Sequence, residues 1–129
     1  MRPRRPPLVI IVDDDPDVLN SLKFAFEVEG FEARAYSRGA ALIDDQAPIG
    51  PACLVLDQQM PGMDGLTLLN QLRARGDNPP AVLITTASAA VRRRAALARV
   101  PVVEKPLLCD TLVDLVRQLL ESAGPVAPS

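Results

Sequence analysis

The sequence predicts an α/β domain in three layers, a parallel sheet with helices on both faces. Three observations predict it. Short Val/Ile/Leu runs at Leu8–Val12, Ala52–Leu56 and Ala81–Thr85 are bounded by turn residues, as in strands buried on both faces of a parallel sheet. Segments of helical period separate these runs, so strand and helix alternate five times. The connections are short, and right-handed crossovers then distribute the helices to both faces.

Taken in order, the first strand is Leu8–Val12, and it runs into Asp13-Asp14-Asp15. The first helix follows with Asp15 as N-cap and Pro16 at its first position, where a missing N–H costs nothing. Val18, Leu22, Ala25 and Phe26 form its inner stripe, and Gly30 ends it. Glu32–Tyr36 alternates and carries charge, which suits an edge strand. Ser37 is the expected cap of a short second helix through Ile43 and Asp44, before a loop around Pro48, Gly50 and Pro51. After the third strand, the loop Met60-Pro61-Gly62-Met63-Asp64-Gly65 leads into a third helix with Leu66, Leu69 and Leu72 on one face. Gly76 through Pro80 stop it ahead of the fourth strand. Ser88–Ala98 is an Ala- and Arg-rich fourth helix with little apolar content, expected to pack weakly. Val100–Val103 is the expected fifth strand. In the fifth helix Leu108, Leu112, Leu115, Val116, Leu119 and Leu120 recur at helical spacing. These elements define a domain over residues 8–121, between a basic Pro-rich stretch at 1–7 and a frayed tail at 122–129.

A chain of 129 residues accommodates one such domain. The net charge of −2 gives no general drive toward nucleic acid or anionic membrane. Arg92-Arg93-Arg94 lacks interleaved aromatics and reads as a solvated helix face. No apolar run approaches a membrane span and the first residues lack a signal-peptide core, so a cytoplasmic protein with no membrane contact is expected. The two cysteines, Cys53 in a buried strand and Cys109 opening a helix, suggest reduced thiols. There is no histidine, which removes histidine metal sites and Ser-His or Cys-His catalysis.

The chemistry concentrates at strand ends. Strands one and three end in Asp13-Asp14 and Asp57, and strand five ends near Lys105. In a parallel sheet these ends share one edge, the edge at which open α/β sheets bind ligands. Three carboxylates and one ammonium invite a hard cation such as Mg²⁺, which takes carboxylate oxygens, waters and a phosphate oxygen and relieves the repulsion among the acids. Asp57 at its solvent-facing strand end suits an aspartyl nucleophile toward a phosphoryl donor. Lys105 can neutralise one phosphoryl oxygen, and the Thr85 or Thr86 hydroxyl can donate to another.

Val12-Asp13-Asp14-Asp15, Asp57 followed by Met60-Pro61 and Gly65, Ile84-Thr85 and Lys105-Pro106 together resemble the receiver domain of two-component response regulators. The resemblance spans Leu8 to about Glu121. It implies a flavodoxin-like (CheY-like) parallel sheet in strand order 2-1-3-4-5. It implies that Asp57 accepts a phosphoryl group from a histidine kinase or phosphotransfer protein. Asp13, Asp14 and Asp57 would hold Mg²⁺ with the Gln59 backbone carbonyl, while Thr85 and Lys105 contact the phosphoryl group. A downstream protein would bind the face formed by helix four, strand five and helix five, with no direct nucleic-acid contact. The domain is expected to stand alone, and to be a signalling domain whose only catalysis is its own phosphorylation and dephosphorylation.

Two departures from the family pattern stand out. Receivers usually carry an aromatic three residues before the lysine, and Val102, stiff at χ1, cannot swing as an aromatic does. The stretch from Thr85 to Lys105 is also a residue or two short. Ala87, beside the site with Gln59, can neither orient nor activate an attacking water, which favours a long-lived phosphorylated form. A pseudo-receiver, binding partners without phosphorylation, is the alternative. A small phosphohydrolase is disfavoured because Gln59 occupies the position where such enzymes place a second acid.

Overall fold

The strands and helices alternate along the chain as β1 (Leu8–Val12), α1 (Pro16–Val28), β2 (Glu32–Tyr36), α2 (Gly39–Asp44), β3 (Ala52–Asp57), α3 (Gly65–Ala74), β4 (Ala81–Thr85), α4 (Ala89–Ala98), β5 (Val102–Glu104) and α5 (Cys109–Ala123). This is a computed structural model in which residues 6–45, 52–86, 88–105 and 109–123 are described. The five strands form one parallel sheet in the order β2-β1-β3-β4-β5, as expected. Val12 lies beside Leu56, Asp57 beside Ile84, and Thr85 beside Glu104, so the strands finish at one edge. The chain reverses its direction of travel across the sheet between β1 and β3. That switch leaves a crevice beyond the strand ends.

β3 and β4 are buried at every position and β1 at all but its first, which is why their sequences read as continuous apolar runs. Alternate residues serve opposite faces. Ile10, Val12, Leu54, Leu56 and Leu83 pack with α2, α3 and α4 residues including Leu42, Leu66, Leu69 and Ala95. Val9, Ile11, Val55, Val82 and Ile84 pack with Leu22 and Phe26 of α1 and with Leu112, Val113 and Val116 of α5. Phe26 and Phe31 meet edge to face at 5.0 Å between ring centroids, and the Arg117 guanidinium lies 5.5 Å from the Phe31 ring.

Asp15 caps α1 as expected: its Oδ1 accepts from the Asp17 and Val18 N–H groups at 2.9 and 3.4 Å, with Pro16 at the first turn. Three expectations need correction. Ser37 does not cap α2; the N-cap is Arg38, one residue later, which supplies no side-chain bond. β5 begins at Val102 rather than Val100, because the Val100 N–H closes the end of α4 on the Ala95 carbonyl and Pro101 has no N–H to give the ladder. α5 continues to Ala123, two residues into the segment read as tail. Both cysteines are free, with Cys53 buried and Cys109 exposed. The readings placed on residues 1–5, on Pro48, Gly50 and Pro51, on Ala87, on Pro106 and Leu108, and on 124–129 lie outside the described residues.

Candidate functional site

The end of β1 delivers Asp13 into the crevice. Its N–H donates to the Tyr36 carbonyl at 3.2 Å and its Oδ1 accepts from the Asp15 N–H at 2.9 Å. The other oxygen, Oδ2, is buried without a hydrogen-bond partner among the described residues. Asp14 is exposed beside it. β3 ends on Asp57, whose Oδ1 accepts from the Gln59 N–H at 3.2 Å and lies 3.4 Å from the Lys105 ammonium. Carboxylate oxygens of Asp13, Asp14 and Asp57 all lie within 4.8 Å of one another. The residues the sequence singled out at separate strand ends are therefore brought together.

Asp57 is only 2 % exposed, although its strand end was expected to face solvent. The Gln58–Gln59 turn folds back on it, and Lys105 crosses from β5. Burial raises the Asp57 carboxyl above the ordinary carboxylate range; the Gln59 N–H and Lys105 oppose this, and the Asp14 charge adds to it. Asp13 is pushed up to about 6, first by burial, with the Asp15 N–H opposing and the Asp57 charge contributing. Two buried acids with raised pKa values and an unpartnered oxygen form a site that lacks positive charge. A hard cation would supply it, and the donor set fits one: two buried carboxylates at adjacent strand ends and a third, exposed one. Lys105 balances only part of the charge.

Thr85 is buried at the end of β4, and its hydroxyl donates to the Thr86 carbonyl at 3.1 Å. Its carbonyl accepts from the Lys105 N–H at 3.1 Å, which ties the lysine's main chain to the threonine. Thr86 is exposed, and its Oγ1 accepts from the Gln59 Nε2 at 2.7 Å.

Gln58 and Asp64, which help build the site, were given no role in the sequence reading, and Gly65 entered it only as part of the family pattern. Gln58 is buried, and its Oε1 accepts the Leu66 N–H at 2.9 Å while its main chain bonds Ile84 and Gly65. It staples the turn after β3 to β4 and to the first turn of α3. Asp64 caps α3 through the Thr67 N–H at 2.8 Å and pairs with Arg94 of α4 at 3.2 Å. Gly65 lies so close to β3 that an added Cβ would sit 2.7 Å from the Asp57 carbonyl oxygen. Asp64-Gly65 ahead of a leucine-rich helical run carries a cap signal, and only the close approach explains the glycine.

The family model for the response regulator receiver domain matches residues 9–117. The chain belongs to this family. It is a signalling domain of two-component systems, in which receivers work with histidine kinases, and its acidic cluster is of the kind receivers use for Mg²⁺. Among curated relatives, the transcriptional regulatory protein PrrA of Mycobacterium leprae is 34 % identical over 125 residues, covering 95 % of this chain and 54 % of the relative. The transcriptional regulatory protein FixJ of Bradyrhizobium diazoefficiens is 30 % identical over 124 residues, covering 94 % and 60 %. The chain thus spans little more than half the length of these relatives, which lend no support to a stand-alone receiver. Among solved structures, FixJ-N is 28 % identical with a TM-score of 0.82, covering 96 % of this chain and 99 % of that one. The Vibrio cholerae chemotaxis protein CheY4, 20 % identical with a TM-score of 0.80, shares the receiver fold over 89 % of this chain and 99 % of its own.

Proposed function

We propose that this receiver is phosphorylated on Asp57 by a histidine kinase or a phosphotransfer protein in the cytoplasm, with Mg²⁺ bound, and signals through protein–protein contacts. The observation that carries the reading is the convergence of Asp13, Asp14 and Asp57 within 4.8 Å, with Lys105 at 3.4 Å from Asp57. Asp57 is the nucleophile: a carboxylate oxygen forms the new P–O bond as the bond from phosphorus to the donor's imidazole nitrogen breaks. Lys105 lies 3.4 Å from an Asp57 oxygen, close to where a phosphoryl group on Asp57 would carry its charge, so it can neutralise one phosphoryl oxygen. The Thr85 hydroxyl, on leaving the Thr86 carbonyl to which it now donates, is the donor for a second phosphoryl oxygen. Asp13, Asp14, Asp57 and the Gln59 carbonyl would hold Mg²⁺, which when bound neutralises charge on the transferring group. Output would use α4, β5 and α5, with Val102 altering how that face responds.

The test is intact-mass analysis after incubation with acetyl phosphate and Mg²⁺. Gain of one phosphoryl group, lost in Asp57→Asn and lost without Mg²⁺, is the expected outcome. A folded protein that binds Mg²⁺ yet takes no phosphoryl group, even from a phosphohistidine donor, would instead be a pseudo-receiver.

A further inference from the structure

Gln59 is held from two sides. Its backbone N–H donates to Asp57 Oδ1 at 3.2 Å, and its side-chain Nε2 donates to the Thr86 hydroxyl at 2.7 Å. The first bond lies within the turn after β3. The second crosses to the segment after β4, 27 residues away in sequence. Thr86 directly follows Thr85, whose carbonyl holds the Lys105 N–H and whose hydroxyl is itself turned onto the Thr86 carbonyl.

From these contacts we infer that Thr86 is a positioning residue for the cation and acceptor site, acting through Gln59. The inference rests on the proposed Mg²⁺-dependent phosphoacceptor. The Thr86 hydroxyl fixes the Gln59 side chain, and this limits rotation of the Gln59 main chain. The N–H of that residue then stays on Asp57 Oδ1, and its carbonyl, the proposed further cation ligand, keeps one direction. A β-branched threonine suits this work, because its χ1 is restricted. The turn itself supplies one restraint, the Gln59 N–H on Asp57 Oδ1, and Thr86 supplies the second. Gln58 is anchored through Leu66, Gly65 and Ile84, whereas among the described residues the Gln59 side chain bonds only Thr86. The bridge also joins the β3 and β4 ends of the crevice, so disturbance of one is felt at the other.

An exposed neutral hydrogen bond of ordinary net strength corresponds to roughly two- to twelvefold in an equilibrium constant. The test is Mg²⁺ titration by calorimetry of the intact chain and of Thr86→Val, Thr86→Ser, Gln59→Leu and the Thr86→Val/Gln59→Leu double variant, each verified as folded by its melting curve. Thr86→Val keeps the shape and removes the hydroxyl, and is expected to raise the Mg²⁺ Kd by about fivefold. Thr86→Ser is expected to retain the parent affinity. Gln59→Leu should match Thr86→Val, and the double variant should be no weaker than either, since one bond is lost in all three. In the cation-free protein, Thr86→Val should also shift the amide proton resonance of Gln59, a change that Thr86→Ser largely reverses. Unchanged Mg²⁺ affinity and an unmoved Gln59 amide in Thr86→Val, or strictly additive effects in the double variant, would overturn the inference while leaving the receiver reading intact. Failure of the parent chain to bind Mg²⁺ would overturn both.

Discussion

The two sides of the crevice are built differently. On one side, β1 and β3 end on Asp13 and Asp57 after strands whose residues are almost entirely buried. On the other, β5 is three residues long and partly exposed, and α4 buries only Ala95. What α4 lacks in apolar burial it replaces with arginine contacts: Arg92 with Glu104, Arg94 with Asp64, and Arg73 of α3 with the Ala98 carbonyl at 2.7 Å. Asp57 is thus fixed at the end of a fully buried strand, while the lysine that faces it follows a short, partly exposed edge strand that α4 reaches through the Arg92–Glu104 pair. Apolar burial resists displacement in every direction. Exposed ion pairs can be exchanged for water at small cost, so this is the side able to shift.

The comparison breaks most visibly in the core. Leu54→Ala, in the centre of β3, should destabilise the protein by about 3 kcal/mol, whereas Leu97→Ala on α4, 81 % exposed, should change stability by less than about 0.5 kcal/mol. Urea unfolding of the two variants measures both, and equal losses would contradict the division. An intermediate effect is expected at the acidic edge. Burial lifts the Asp13 carboxyl above its ordinary range to about 6, so its contribution to stability is greatest when protonated and is lost as pH rises through about 6. In Mg²⁺-free buffer, Asp13→Asn should therefore melt a few degrees above the parent at pH 7 and close to it at pH 4. The Mg²⁺ affinity of the parent should move the opposite way, weakening as pH falls through about 6, because protons compete for the ligand. A gap in melting temperature independent of pH would remove Asp13 as the strained group. The smallest effect belongs to α4: Arg92→Ala should cost roughly 0.2–1 kcal/mol at low salt. In 1 M salt the cost should shrink further, since the pair is exposed. A loss insensitive to salt would mean that Arg92 acts by packing.

The same division decides what the sequence made legible. β4 is read to the residue because it is apolar, buried on both faces and stopped by Pro80 before and by polar residues after. Asp15 and Pro16 mark the start of α1 by local chemistry alone. The acidic residues and Lys105 were legible as strand-end residues, and the parallel topology then made them neighbours. At β5, the start depended on whether Val100 gave its N–H to the helix behind or to the strand beside it, a competition no spacing reveals. Ser37 failed as a cap because helix α2 starts one turn position later than its best capping residue. Gln58 was passed over because a glutamine in a loop reads as solvated, and only the tertiary approach of α3 turns its amide inward. Asp57's burial was missed for a related reason: strand-end position is a property of the chain, but closure by Gln59 and Lys105 is a property of the assembled edge.

The sheet divides the interior into two separately sealed compartments, one shared with α2, α3 and α4 and the other with α1 and α5. Neighbouring residues along a strand consequently answer to different sets of partners. Sequence drift in one compartment can be accommodated by its own helices without asking anything of the other. A lineage can then remodel the surface beside α4 while the side chains beneath α1 and α5 stay as they were, and the edge carrying Asp13 and Asp57, where the compartments meet, is the seam that neither side can revise alone.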